Sequence, residues 1–185
     1  MSKYVMISMI AIALSSAPSI ASAAEKPSVM QSAQADASPP ASPCDTPEYR
    51  QLDFRIGTFD VTGLQGAKAG ESRVESVLGG CLLVEHWHGA ISGYGRANMF
   101  YDRQQKRWHL DYITDEGGTL YLTGRFEGDS LVLTGNNDFE GFAGLHRMTF
   151  SPLPNGASRQ FWELSKDGGT TWKIIHDGRF ARRVQ

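Results

Sequence analysis

Neither sign of charge dominates this sequence, because 18 lysines and arginines stand against 20 aspartates and glutamates, for a formal net charge of −2. The charges are scattered along the chain, and no basic stripe is present. Proteins that bind nucleic acid cluster their lysines and arginines to neutralise phosphates. We therefore expect no nucleic-acid partner.

Long apolar runs are also scarce, and the one clear run, residues 4–14, is too short to cross a bilayer as a helix, which takes about 20 residues. Lys3 precedes the run, and the small residues Ala21 and Ala23 follow it. This order is typical of a secretory signal peptide, which we predict over residues 1–23. The alternative, a buried N-terminal helix, is disfavoured by Pro18. We expect a periplasmic or secreted bacterial protein without a membrane span after cleavage.

The stretch that follows the predicted signal peptide has no hydrophobic periodicity. Residues 25–43 are rich in alanine, serine, proline and glutamine. A segment of this composition buries too little apolar surface to offset its chain entropy, so residues 24–43 are predicted to form a disordered linker. Residues 44–185 have the length of one ordinary domain.

Cysteine is limited to Cys44 and Cys81. An even number of cysteines in an exported protein is most simply one disulfide, and we predict that these two are bonded. A reactive or metal-binding thiol pair is the alternative, and the absence of a C-x-x-C spacing disfavours it.

Sequence motifs that commit a protein to a reaction are missing. No G-x-S-x-G elbow, P-loop, H-E-x-x-H pair or dinucleotide fingerprint occurs. Catalysis therefore has no support in the sequence, and no cofactor is expected.

No useful stretch has a helical period, whereas short runs of aromatic and β-branched residues alternate with turn signals. Tight turns between successive strands permit only antiparallel pairing, and a long meander loses its exposed edges by closing. The sequence predicts an all-β, antiparallel up-and-down barrel of about ten strands after a short N-terminal helical turn. The predicted strands are Phe54–Thr62, Glu71–Leu78, Cys81–His88, Gly95–Tyr101, Arg107–Thr114, Thr119–Phe126, Ser130–Thr134, Gly144–Phe150, Ser158–Ser165 and Thr171–Arg179.

Several stretches resemble a family of uncharacterised secreted bacterial domains that open with a motif like F-D-F-W-x-G-x-W-D-V. The matching stretches are residues 54–61, Leu78-Gly79-Gly80-Cys81, Glu85-x-Trp87, Tyr101-Asp102, Arg107-Trp108-His109, residues 152–156 and residues 159–172. Arg55 and Phe59 stand where that family tends to have tryptophan. The resemblance covers nearly all of residues 44–183 and implies a calycin-like, or lipocalin-like, barrel, but it implies no activity.

Strand alternation places Trp108 and Tyr112 on the apolar, inward face of one strand, Tyr101 on that of the strand before it, and Trp162 on that of a late strand. The family resemblance implies that Glu85 and Trp87 also point inward. Arg147 shares its strand face with Leu145 and Thr149 and is a candidate partner for Glu85, either as a structural ion pair or as a ligand anchor. The predicted ligand-binding residues are Glu85, Trp87, Tyr101, Trp108, Tyr112, Arg147 and Trp162.

Three other patterns point to chemistry less strongly. His86 and His88 have the spacing of a zinc-binding pair, with His109 or His146 as a third ligand, but surface histidines explain them as well. His176 is a candidate haem ligand. Residues 165–172 match the hairpin of sialidase-type propellers, in which it is a structural turn.

Four candidate functions follow from these patterns. We rank first a protein that binds a small apolar or amphipathic molecule inside the barrel. An enzyme acting on such a molecule, a haem-binding barrel and a structural domain filled by its own side chains are the alternatives. The sequence does not indicate an oligomeric state.

Overall fold

A computed structural model describes residues 42–91 and 93–183 of the chain. The predicted signal peptide (1–23) and nearly all of the predicted linker (24–43) lie outside the described residues. None of the helices in the described part of the chain is both long and apolar enough to cross a bilayer.

The described residues form one short helix and ten strands. Helix α1 (Pro47–Arg50) is followed by a 3-10 turn over Asp53–Arg55. The strands are β1 (Gly57–Thr62), β2 (Lys68–Val77), β3 (Leu82–Gly89), β4 (Tyr94–Asp102), β5 (Arg107–Thr114), β6 (Thr119–Glu127), β7 (Ser130–Phe139), β8 (Phe142–Pro152), β9 (Ser158–Ser165) and β10 (Lys173–Arg182).

Each strand pairs antiparallel with its neighbours in sequence, and β1 also pairs with β10, which closes the barrel. At this closure Phe59 lies opposite Arg182 and Val61 lies opposite Phe180. The order confirms the predicted all-β, antiparallel up-and-down barrel with a short N-terminal helical turn. Because every connection is a hairpin, successive loops lie at alternate ends of the barrel.

Eight of the ten strands differ from the predicted bounds at one or both ends, and two of these differences have an identifiable cause. The first strand begins at Gly57 rather than at Phe54, because Asp53–Arg55 form the 3-10 turn. Strand β7 runs on to Phe139, five residues beyond its predicted end at Thr134. The extension pairs with β8, from Gly135 opposite His146 to Phe139 opposite Phe142. On its other side, beyond Thr134, the Asn137 amide accepts a hydrogen bond from Tyr121 N and donates one to Tyr121 O. It thereby replaces the main-chain ladder between β6 and β7.

The segment before β1, residues 42–56, covers one end of the barrel. We call this end of the barrel the α1 end. The predicted disulfide between Cys44 and Cys81 is present, with Cα atoms 5.0 Å apart. It ties the segment to the turn between β2 and β3, and Arg50 Nη2 donates to the carbonyl oxygen of Gly80 there. We call the opposite end, where β3 leads to β4 and β5 leads to β6, the loop end.

The side chains beneath α1 fill the barrel. Tyr49 packs edge-on against Tyr101, with ring centroids 5.5 Å apart. Trp108 Nε1 donates a hydrogen bond to Gln51 Oε1 at 3.2 Å, and the tryptophan is only 2% exposed. The filled part of the core contains Leu52, Leu83, Met99, Trp108, Leu122, Leu131 and Leu133.

Candidate functional site

Nearer the loop end, the interior holds a cavity of about 240 Å³. Its lining side chains come from six strands, β3, β4, β5, β8, β9 and β10. They are Glu85, Trp87, Ala97, Leu110, Tyr112, Met148, Phe150, Gln160, Trp162, Ile175, His176 and Phe180. The walls are mainly aromatic and aliphatic, with four polar side chains among them, which is the usual composition of a small-molecule site.

The floor of the cavity is a buried ion pair. Arg55, which is fully buried, donates from Nη2 to Glu85 Oε1 at 2.9 Å. Ser72 Oγ donates to the same oxygen at 2.5 Å, and Arg55 Nη1 donates to Ser158 Oγ at 3.3 Å. Burial lowers the pKa of Arg55, and the charge of Glu85 partly offsets this shift.

Two aromatic rings pack against the Arg55 guanidinium. Its Cζ atom lies 4.0 Å from the ring centroid of Phe180 and 5.0 Å from that of Phe150, both of which line the cavity. Cation–π contacts of this kind are stronger when the groups are desolvated. The aromatic wall of the cavity therefore also stabilises the positive charge of Arg55.

Tyr112 lies on the same wall of the cavity as Glu85, two strands away. In the sheet, Glu85 lies opposite Ala97, and Ala97 lies opposite Tyr112, so the three share one inward-facing row. The short side chain of Ala97 leaves space between the carboxylate and the phenol. Burial, followed by the charge of Glu85, raises the pKa of Tyr112, so its hydroxyl stays protonated and can donate a hydrogen bond.

Glycine makes room for Tyr112. Gly95 lies two residues before Ala97 on β4. A Cβ atom at this position would overlap the Tyr112 ring and hydroxyl. The same holds at Gly70, where a Cβ atom would overlap the ring of Trp87. These glycines let two large aromatic side chains lie flat against the sheet, which fixes their positions in the cavity wall.

His176 reaches the cavity because β10 is irregular. The register with β9 shifts between Ile174 and His176, which is a β-bulge, and both Ile175 and His176 consequently line the cavity. Burial lowers the pKa of His176, and the charge of Arg55 acts in the same direction against the opposing effects of Asp177 and Glu85. Its ring meets Trp87 edge-on, with centroids 6.4 Å apart.

Trp162 is held by a second buried histidine. Its Nε1 donates to His146 Nδ1 at 3.0 Å, and His146 Nε2 lies 2.8 Å from the carbonyl oxygen of Phe142. Because Nδ1 accepts, Nε2 carries the proton and donates to that carbonyl. Both ring nitrogens of His146 are thus occupied, and the histidine serves to orient the Trp162 wall.

The structure brings four of the seven predicted site residues into the cavity lining: Glu85, Trp87, Tyr112 and Trp162. Tyr101 and Trp108 also belong to the interior, but they pack at the α1 end, 5.9 Å apart by ring centroids. Their position on the strands explains this, since Trp108 is the second residue of β5 and Tyr112 is the third from its end.

The expectation that Arg147 points inward is wrong. On β8 the buried, inward-facing set is His146, Met148 and Phe150, which places Arg147 on the outer face. There it pairs with Glu163 at 2.8 Å and lies over the ring of Trp172 at 3.8 Å. Leu145 and Thr149, which share its face, are half-buried, and the inward face of β8 is the alternate set of residues.

Arg55 takes the place in which Arg147 was expected. The sequence singled it out only because it occupies a position where the resembling family tends to have tryptophan. Arg55 precedes the first strand, in a 3-10 turn, so no strand alternation could assign its direction. The available signal for its burial was the position of this arginine among the apolar residues Phe54, Ile56 and Phe59.

The other histidine patterns form no metal centre in residues 42–91 and 93–183, where no cluster of three or more suitable side chains occurs. His86 faces outward and bonds Glu75 Oε1 at 3.0 Å, and His88 stacks beside Tyr94. The 165–172 segment is a turn in which Asp167 accepts hydrogen bonds from the backbone of Thr170 and Thr171.

Comparison with known proteins gives no relative from which a function could be transferred. No protein-family model matches the chain, and no curated protein sequence matches it significantly. Function is therefore inferred from the residues of the cavity.

Proposed function

We propose that this is an exported protein that binds a small, partly apolar molecule in the cavity of its barrel. The observation that carries the proposal is the cavity of about 240 Å³ with aromatic walls and a buried carboxylate at its floor. A domain that serves only as a structural unit gains stability from filling such a space with its own side chains, because each void forfeits packing contacts.

The volume sets the size of the ligand. Sites for drug-sized compounds occupy about 300–1,000 Å³, and an apolar cavity of about 150 Å³ is large enough for benzene. A cavity of about 240 Å³ therefore fits a compound of one to two rings. A porphyrin is larger than this, so haem ligation through His176 would need the barrel to widen.

Export is supported by the signal-like N-terminus and by the Cys44–Cys81 disulfide, a bond that persists in oxidising compartments. We also propose that the chain is related to the secreted calycin-like domains that it resembles. The ten-stranded barrel and the Gly57-Thr58-Phe59 stretch at the start of β1 support that relationship.

Blocking the cavity tests the proposal. Ala97→Leu adds bulk between Glu85 and Tyr112, whereas Asn98→Leu adds the same side chain on the outer face of the same strand. Isothermal titration calorimetry with 2-naphthol as probe should show binding to the wild type and to Asn98→Leu. We expect binding to Ala97→Leu to be at least ten-fold weaker.

Equal binding by Ala97→Leu would place the probe outside the barrel and contradict the proposal. Native mass spectrometry of the protein recovered from a periplasm supplies the second readout. A small molecule retained by Asn98→Leu and lost from Ala97→Leu is the expected result.

A further inference from the structure

The two carboxylate oxygens of Glu85 have different surroundings. Oε1 accepts hydrogen bonds from both Arg55 and Ser72, which fills its capacity. Oε2 accepts none from the described residues, although the Glu85 side chain is only 8% exposed and lines the cavity. Oε2 is open to the cavity rather than enclosed by protein, so a ligand that brings a donor can bind at this atom in place of water.

The charges around the cavity already balance. Glu85 is paired with Arg55, Tyr112 stays protonated because burial raises its pKa, and burial keeps His176 neutral by lowering its pKa. A charged ligand would lose its hydration without meeting an unpaired counter-charge. A carboxylate would also meet the free oxygen of Glu85, and an ammonium group would lie near the fixed charge of Arg55.

The spacing of polar groups fits a planar ring. Adjacent strands lie about 4.8 Å apart, so Glu85 and Tyr112, separated by the strand of Ala97, are about 10 Å apart between Cα atoms. The rings of Trp87 and Trp162 supply apolar wall beside this gap. A ring placed there can donate to Glu85 at one side and pack against the Tyr112 side chain, whose hydroxyl lies over Gly95.

We propose that the ligand is an uncharged, planar compound of one to two rings that carries an O–H or N–H donor, and that this donor binds Glu85 Oε2. This inference rests on the proposed function, because it assigns the ligand class of the same cavity. The aromatic and aliphatic walls hold the ring, and the carboxylate selects for the donor.

Three naphthalene probes of similar shape test the inference in the wild-type protein: 2-naphthol, 2-methoxynaphthalene and 2-naphthoate. Only the first can donate a hydrogen bond while uncharged at pH 7. We expect 2-naphthol to bind at least ten-fold more tightly than 2-methoxynaphthalene, which corresponds to about 1.4 kcal/mol, and 2-naphthoate to bind most weakly. Isothermal titration calorimetry gives the three dissociation constants.

Glu85→Gln identifies the atom responsible. The amide oxygen of glutamine should stay with the donors Arg55 and Ser72, which turns its NH₂ group toward the cavity. The preference for 2-naphthol over 2-methoxynaphthalene should then fall below about three-fold. Glu75→Gln, which removes a carboxylate from the outer face of β2, should leave the preference unchanged.

The outcomes separate the two proposals. If all three probes bind equally well and Ala97→Leu still blocks them, the cavity binds ligand but the role of Glu85 is refuted. Failure of all three to bind contradicts both proposals. Should Glu85→Gln not fold by circular dichroism, the ranking of the probes in the wild type decides the question by itself.

Discussion

The two parts of the barrel interior use the same kinds of side chain to different ends. At the α1 end, Trp108 is 2% exposed, donates to Gln51 and lies among aliphatic side chains that leave no room for a ligand. Toward the loop end, Trp87 and Trp162 stand around a cavity of about 240 Å³. The sheet is continuous between the two parts, so the difference comes from what covers each end and from the size of the residues between the aromatic rings.

Small residues are the local cause of the cavity. Ala97 stands between Glu85 and Tyr112, whereas Met99, two residues along the same strand, stands between Leu83 and Leu110. The inward positions of β4 hold a long methionine at Met99 and a short alanine at Ala97, and the shorter side chain leaves the space that a ligand can occupy. Aromatic character alone thus does not mark a binding wall in a barrel.

Truncating one tryptophan in each part should produce the largest contrast. Trp108→Ala removes a fully packed side chain and should lower the free energy of unfolding by about 3–5 kcal/mol without weakening the binding of 2-naphthol. Trp87→Ala removes a half-buried wall of an existing cavity and should cost about 1–2 kcal/mol, with at least a ten-fold loss of affinity. Urea denaturation and calorimetry measure both. Similar stability losses for the two variants would refute the division of the interior.

The ion pair lies where the two parts meet, and breaking it should be nearly as costly. Arg55→Leu leaves Glu85 buried without its counter-charge and should lower the free energy of unfolding by about 3–5 kcal/mol. Arg55→Leu combined with Glu85→Leu removes both charges and should recover most of that loss, because apolar replacements of buried pairs are often neutral. The double variant should no longer prefer 2-naphthol over 2-methoxynaphthalene. If the double variant were less stable than Arg55→Leu, the pair would stabilise the fold beyond mutual neutralisation.

Removing the disulfide should affect the α1 end alone. Cys44 and Cys81 are 37 residues apart, and closing a loop of this length stabilises a protein by about 2–4 kcal/mol. The variant carrying both Cys44→Ser and Cys81→Ser should lose that amount in urea denaturation, and its affinity for 2-naphthol should stay within two-fold of the wild type. A larger loss of affinity would mean that the N-terminal segment also shapes the cavity.

The sequence predicted the barrel well because alternation and turn chemistry are local signals. The inward positions of Trp108, Leu110 and Tyr112 follow directly from period-two patterning, and all ten predicted strand starts lie within three residues of the observed ones. The extension of β7 beyond Thr134 was not predicted because it pairs along its backbone with β8 alone, while the Asn137 side chain bonds to β6, and composition does not reveal such one-sided pairing.

The site was predicted less completely because it depends on distances through space. The burial of Arg55 leaves no periodic signal, because a turn outside the strands sets it. The bulge that turns both Ile175 and His176 inward leaves none either. Which inward aromatic residues are packed and which line a cavity depends on how α1 covers one end. Strand patterning therefore identified the interior residues, but it could not divide the filled part from the open part.

The smallest expected effect is a pH dependence that belongs to the cavity. His176 has a lowered pKa in the folded protein because it is buried, so the unfolded chain binds its proton first as the pH falls. Stability is then fully present above the ordinary histidine pKa of about 6.5 and is lost as the pH decreases below it, by less than about 1.4 kcal/mol per pH unit. His176→Gln removes this loss, whereas the outward-facing His86 and the carboxylates contribute equally to both proteins and cancel in the comparison. Urea midpoints at pH 7.5 and pH 5.5 should therefore fall further for the wild type than for His176→Gln. Equal decreases would mean that His176 reaches solvent in the folded protein, and that its side of the cavity is more open than its burial indicates.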